Sequence, residues 1–218
     1  MANPDNPSLS EHASEVLRRR IIDGSMKPGA RLAESAVALD LGVSRVPVRE
    51  ALFALEREGL IEFSRTGRAY VKRLTARDFE ELYQLRLLVE PAAARAAANV
   101  QGAALKALEE NIEATRRARS LRDITRLDLD FHDGILAAAG HTRLLKLWRS
   151  MRQELELWLG RLHDRHQRQT RQTLRETVAA HEVLLAGLRT QSPATCERLM
   201  REHIQGWREW LPDLPEEN

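Results

Sequence analysis

The sequence predicts a mainly α-helical chain in two parts: three helices and a two-stranded hairpin, then an all-α bundle of six helices. Three observations carry this. Breakers crowd the first 75 residues, where Gly24, Pro28, Gly29, Gly42, Pro47, Gly59 and Gly67 punctuate short elements. From Thr75 to about Pro212 the chain is rich in Leu, Ala, Arg and Glu, has few breakers, and repeats its apolar residues at helical spacing. With 43% of 218 residues hydrophobic, a real core is affordable and disorder is excluded as the main description. The boundary is placed near Leu74 to Ala76, giving domains 1–75 and 76–218.

In the first domain, Leu9 to Asp23 reads as a helix ended by Gly24, followed by a loop through Lys27-Pro28-Gly29. A short helix spans about Glu34 to Leu41. Gly42 supplies a tight turn, Ser44 is placed to cap a third helix, and Val48, Leu52 and Leu55 give that helix an inward face. Pro47 is tolerated in the first turn, where its missing N–H has no intrahelical partner. LIEFSRTGRAYVKRL alternates around Thr66-Gly67 as a hairpin. Three helices and a hairpin make a winged helix-turn-helix.

In the second domain six helices are expected, at about Thr75–Asn99, Ala103–Ser120, Leu121–Ala139, Thr142–Leu162, Gln167–Arg189 and Pro193–Leu211. Ser120 with Asp123 resembles a capping box, Gly140 is a C-terminal stop, and Ser192-Pro193 is an N-cap followed by proline at the first helical position.

Charge sets the kind of partner. Lys+Arg number 34 against 32 Asp+Glu, a net of +2, so an anionic partner is met locally. Up to Leu74 there are 12 basic and 10 acidic residues, so the excess is N-terminal. The single cysteine, Cys196, excludes an internal disulfide and a cysteine-based zinc finger, which suits a reducing cytosol. The opening MANPDNPSLS has no apolar signal region, and the longest apolar stretch, AAARAAANV, is interrupted by Arg95 and too short to span a bilayer. A soluble, cytoplasmic protein with no membrane partner is the expectation.

A major groove admits one helix, and arginine forks onto guanine there. Arg45 and Arg49, four residues apart at the start of the third helix, project side by side opposite its apolar face. Ser44 joins them at the helix N-terminus, where hydroxyl and N–H groups hold a phosphate. Arg31 is placed as a backbone clamp, and Arg68 at the hairpin tip as a minor-groove contact. The plain alternative is that these are solvated charges. LGVSRVPVREALFALEREGLIEF with TGRAYV, together with KPGARL, resembles the N-terminal domain of the GntR family of bacterial transcription regulators, from about Ser10 to Arg73. The resemblance implies that Arg31, Arg45 and Arg49 contact double-stranded DNA, with Ser44 and the Gly67 turn placing its backbone. Val46 stands where many relatives carry a hydroxyl residue, so a polar contact is lost there and operator preference is open to change.

In the second domain Asp128 and His132, at i and i+4, converge beside the stripe Ile124, Leu127, Phe131 and Ile135. A carboxylate there is costly unless paired. His181 lies among Leu174, Val178, Leu185 and Leu188, and His203 among Cys196, Met200, Trp207 and Trp210. Each histidine is 11 residues from the turn at Ser192, so an antiparallel hairpin brings both to one height. One oxygen and three imidazoles suit Zn²⁺, with Ni²⁺ or Mn²⁺ also possible. For a lone histidine a satisfied core residue is the plainer reading. Arg86, in the core stripe Phe79, Leu82, Val89 and Ala93, needs an anionic partner, either Glu90 one turn on or an effector carboxylate. His163 and His166 read as solvated loop residues and His12 as a surface residue.

LDLDFHDGILAAAG, the HEVLLAGLRTQSP run and the LMREH segment resemble the FadR-type C-terminal domain, called FCD, over about Thr75 to Leu211, and six helices suggest its shorter VanR-like subgroup. The resemblance implies that Asp128, His132, His181 and His203 are metal ligands beside a small organic acid effector. It departs at His141, where relatives commonly have Asn. The function expected is a ligand-responsive regulator, a repressor rather than an enzyme, binding a near-palindromic operator as a homodimer. The rival, a metal-dependent hydrolase with an accessory DNA-binding domain, needs a general base; Asp130, the nearest in sequence, points to the other side of its helix.

Overall fold

The computed structural model describes residues 8–210, and these divide into two compact units that meet between Leu74 and Thr75. The first holds α1 (Leu9–Ile22), β1 (Arg31–Leu32), α2 (Glu34–Leu41), α3 (Arg45–Arg57), β2 (Ile61–Phe63) and β3 (Ala69–Val71). Ser8 and Glu11 form a reciprocal capping box that starts α1. Its buried Ala13, Leu17 and Ile21 share a core with Val48, Leu52 and Leu55 of α3. Gly42, at φ +65°, closes α2 in the left-handed conformation that turns the chain into α3.

The hairpin is present and carries one strand more than the sequence indicated. β3 lies between β1 and β2, antiparallel to both, pairing Arg31 with Tyr70 and Ile61 with Val71. β1 is only two residues long, too short to leave an alternation pattern. Ser44 occupies the N-cap position of α3 but its hydroxyl makes no cap bond, which corrects the capping role expected of it.

The second unit holds α4 (Ala76–Ala96), α5 (Gly102–Arg116), α6 (Leu121–Ala138), α7 (Thr142–Thr170), α8 (Thr173–Thr190), α9 (Pro193–Gly206) and a final 3₁₀ turn (Arg208–Trp210). Six helices are found as predicted; the sixth ends at Gly206, short of the expected Leu211, which itself lies outside the described residues. Thr75 and Asp78 cap α4 reciprocally, and Ser120 accepts from the Asp123 N–H at the start of α6. Ser192 caps α9 with Pro193 in its first turn, as the sequence indicated. α4 packs on α9 and α6, α6 on α5 and α7, and α8 on α5 and α9, around Phe131, Ile135, Trp148, Leu155 and Met200. Pro91 is built into α4, which continues through it.

The passage from the fourth to the fifth of these helices is corrected: α8 starts at Thr173, not Gln167. α7 runs to Thr170, eight residues beyond Leu162, so His163 and His166 are helical and buried, not solvated loop residues. With no Gly or Pro between Leu162 and Thr173, nothing in the chain stops the helix until Arg171, which adopts φ +58°. His163 Nδ1 lies 2.9 Å from Thr125 Oγ1, whose own proton goes to the Leu121 carbonyl, so the imidazole donates. His166 is held by Thr173 at 2.7 Å and Glu176 at 2.9 Å.

Burial pushes the His163 pKa down to about 4 from 6.5. Between those values the unfolded chain takes up a proton that the folded chain refuses, so stability is lost as the pH falls from 6.5 to 4. The loss expected from this group is about 3 kcal/mol. Urea midpoints of chelator-treated protein, measured across that range, should fall less steeply in His163→Gln than in the wild type. Parallel curves would show that His163 does not titrate in this way.

Candidate metal centre and DNA-reading face

Asp128 and His132 lie one turn apart on α6, His181 sits midway along α8, and His203 lies near the end of α9. Asp128, His132 and His181 are buried and His203 is half-buried. Each offers one ligand atom, and the four atoms lie within 4.8 Å of one another. The antiparallel α8–α9 hairpin brings His181 and His203 to the same height, because each is the same number of residues from its turn.

The contacts between these groups are those of lone pairs aimed at a common point. His181 Nε2 contacts Asp128 Oδ1 at 2.7 Å but off the line of a well-aligned hydrogen bond, and its Nδ1 has no hydrogen-bond partner. His132 Nε2 lies 3.8 Å from Asp128 Oδ1 and 3.1 Å from His203 Nε2. Ligand bonds of 2.0–2.1 Å at tetrahedral angles would place ligand atoms about 3.3 Å apart, within the range seen. A buried polar atom without a well-aligned hydrogen bond costs about 1–3 kcal/mol. A divalent cation would relieve this, so the residues present fit a metal.

The surroundings keep the donor atoms in their ligating forms. Burial alone would raise the Asp128 pKa, but His181 and His132 outweigh it and hold the carboxyl well below its usual range. Burial, with the neighbouring imidazoles adding to it, pushes His203 well below its ordinary value. It does the same to His181 against the pull of Asp128. The Phe131 ring stacks on His181 with centroids 4.0 Å apart and planes 11° from parallel, fixing the imidazole plane.

Arg86 is buried on α4, and its Nε bonds Glu90 Oε1 at 2.5 Å, so the intrahelical pair allowed by the sequence is formed. Burial would lower the Arg86 pKa and raise that of Glu90; each charge outweighs this for the other, so both stay ionised. Sequence reading missed that Glu90 Oε2 also bonds His132 Nδ1. Asp130 turns away from the cluster to pair with Arg126 and Arg152, so it gives the centre no general base. His141 caps α7, its Nδ1 accepting from the Leu144 N–H at 3.2 Å, a role an asparagine side chain would also fill.

In the first unit Arg31, Arg45, Gly67 and Arg68 line one cleft of about 220 Å³ between β1, the start of α3 and the wing. Ser44, Arg45, Val46 and Arg49 are all exposed at the start of α3. Arg49 does not line that cleft; it forks onto Glu34 through two bonds of 2.8 Å. Gly67, at φ +71°, makes the wing turn, a backbone state that a side chain would strain. His12 is exposed, as expected.

Residues 9–71 match the bacterial regulatory proteins, gntR family, and residues 81–206 match the FCD domain. The chain is a GntR-family transcriptional regulator with an FCD domain. It is similar to the HTH-type transcriptional repressor RspR of Escherichia coli (strain K12), 28% identical over 99% of this chain and 94% of that one. It is also similar to the HTH-type transcriptional regulator YdhC of Bacillus subtilis (strain 168), 34% identical, a match that spans 60% of that protein's length. A GntR transcriptional regulator from Rhodococcus sp. RHA1 shares its fold, with a TM-score of 0.77, 24% identity, and coverage of 94% of this chain and 98% of that one. The regulator's families are those of transcription factors, so the hydrolase alternative is set aside. Among its described residues no helix is long and apolar enough to cross a membrane.

Proposed function

We propose that this regulator is a dimeric repressor of the bacterial cytoplasm, whose winged heads read a near-palindromic operator. A small organic acid, bound at a divalent ion in the FCD domain, sets its affinity for DNA. The observation that carries the reading is the convergence of Asp128, His132, His181 and His203 inside an apolar bundle. Those four side chains would hold the ion, and one oxygen with three nitrogens suits Zn²⁺, with Ni²⁺ or Mn²⁺ as the other choices. The ion would supply a positive charge that anchors a carboxylate. The shorter, VanR-like form of the domain is supported by its six helices.

Charge supports an anionic effector. The buried Arg, Lys, Asp and Glu side chains described in the FCD domain are Arg86, Glu90 and Asp128, a formal net of −1. A divalent ion turns this into +1, and a monocarboxylate restores neutrality, which burial in a low-dielectric interior favours. Asp128 lies close enough to Arg86 to raise its pKa, so a carboxylate at the ion would feel that guanidinium as well.

On the DNA side, Arg31, Arg45 and Arg68 would meet the duplex from the cleft they line, Arg49 from the exposed face of α3, with Ser44 and the Gly67 turn against the backbone. Leu85 and Leu88 on α4 stay exposed, Leu88 at 71%, and offer an apolar face to a second copy. The similarity to the repressor RspR supports repression. An effector alters operator affinity only through its preference for one of two arrangements of the heads.

A thermal-shift screen of metabolite carboxylates, with and without chelator, tests the reading together with operator binding measured in the presence of each hit. Stabilisation that needs both ion and acid, with a change in operator affinity, is the expected result. Acid binding that ignores the chelator would defeat it.

A further inference from the structure

The metal-ligand set leaves one buried acidic residue unexplained. Glu90 is fully buried on α4, and a carboxylate there needs a cation, which Arg86 supplies at Oε1. Oε2 is not left to the same guanidinium. It reaches across to α6 and bonds Nδ1 of His132, a residue that is also fully buried.

We propose that Glu90 is a positioning residue for the metal centre, holding the His132 ring in the one tautomer and orientation that turns Nε2 towards Asp128, His181 and His203. This rests on the metal reading of those four residues. An imidazole nitrogen that faces a carboxylate must carry the proton, because two lone pairs facing each other repel. With the proton on Nδ1, the neutral ring has its lone pair on Nε2, the atom 3.8 Å from Asp128 and 3.1 Å from His203. Ligating histidines commonly give their other N–H to a carboxylate, which fixes the tautomer and makes the ligand nitrogen more basic. Arg86 acts at one remove, fixing Glu90 from the opposite oxygen. His181 has no such orienter; its Nδ1 lacks a hydrogen-bond partner and its plane is set by Phe131. The centre therefore treats its histidines unequally, and Glu90 bears on one of them.

The test is a titration of chelator-stripped full-length protein with Co²⁺, and with Zn²⁺ by competition, in the wild type and in Glu90→Gln. Glutamine keeps the shape and loses the charge. The expected result is a 10- to 100-fold weaker ion affinity, in the range typical of outer-shell partners, and a shifted cobalt visible spectrum. Helical circular dichroism of the stripped protein should be retained. If Glu90→Gln does not fold, Arg86→Met/Glu90→Gln, which removes both buried charges together, takes its place with the same expectation. In a His132→Ala background the Glu90 substitution should add nothing, because the ring it positions is gone. Wild-type affinity and an unchanged spectrum in the variant would overturn the proposal and leave the metal reading standing. A wild-type protein that binds neither ion would overturn both.

Discussion

Replacing His181 by alanine is expected to abolish stoichiometric metal binding and to remove the sensitivity of the regulator's melting temperature to chelator. His181 is a fully buried member of the four-residue cluster whose polar contact is Asp128 at 2.7 Å, a second member of the cluster, so the ion would be held between the two. Loss of a ligand should weaken binding by more than the 10- to 100-fold typical of an outer-shell change. An ion present at 1,000 times its dissociation constant stabilises the folded state by about 4 kcal/mol, and the variant forfeits that gain. It also vacates the face of Phe131, so its melting temperature should be compared with that of chelated wild type, to separate the cavity from the ion. Elemental analysis of protein prepared without a histidine tag provides the count. A variant that keeps one ion per chain, or unchanged stability, would remove the basis for the metal centre.

The second large effect is expected on DNA. Arg49→Ala should weaken operator binding by about 1–3 kcal/mol per half-site and relax selectivity at the base pair it reads. In a dimer on a near-palindrome both half-sites lose the contact, so the combined loss reaches about 2–6 kcal/mol, or roughly 30- to 10⁴-fold. The fork already has a partner, since both oxygens of Glu34 take hydrogen bonds from it. Arg49 is exposed in that pair, so solvent screens it and it is weaker than a bidentate base contact. Exchange onto guanine is therefore favourable, and it leaves Glu34 without the Arg49 fork in the wild-type complex as in the variant, so the difference between the two reads the base contact less the small cost of releasing Glu34. Titrations of operator and scrambled duplex at one fixed salt concentration make the test. Equal affinity of wild type and variant for the operator would show that α3 reads DNA without Arg49.

Much of this was legible in the chain because the signals are local. Gly42 and Gly67 sit where the backbone must enter the left-handed region, and both do. Asp128 and His132 are one helical turn apart, and helical geometry alone puts them together. The matched heights of His181 and His203 follow from equal spacing about Ser192, given only that the two helices form an antiparallel hairpin.

Failures came where local rules are silent. Ser44 has the right residue type and position for a cap, but its hydroxyl makes no cap bond. Arg171 ends α7 in a conformation that arginine rarely adopts and that no sequence signal marks, so His163 and His166 were misplaced.

By itself, then, the sequence determined the succession of helices and two pairs of side chains, Asp128 with His132 and His181 with His203, and the family resemblance joined the pairs into one ligand set. Periodicity and spacing encode each pair within a single helix or across one short turn. Only the tertiary structure decided how α4 lies against α6, and with it that Glu90 bridges Arg86 and His132. Residues 42 positions apart meet through the packing of whole side-chain surfaces, and that sum over many contacts is not written at either end of the pair.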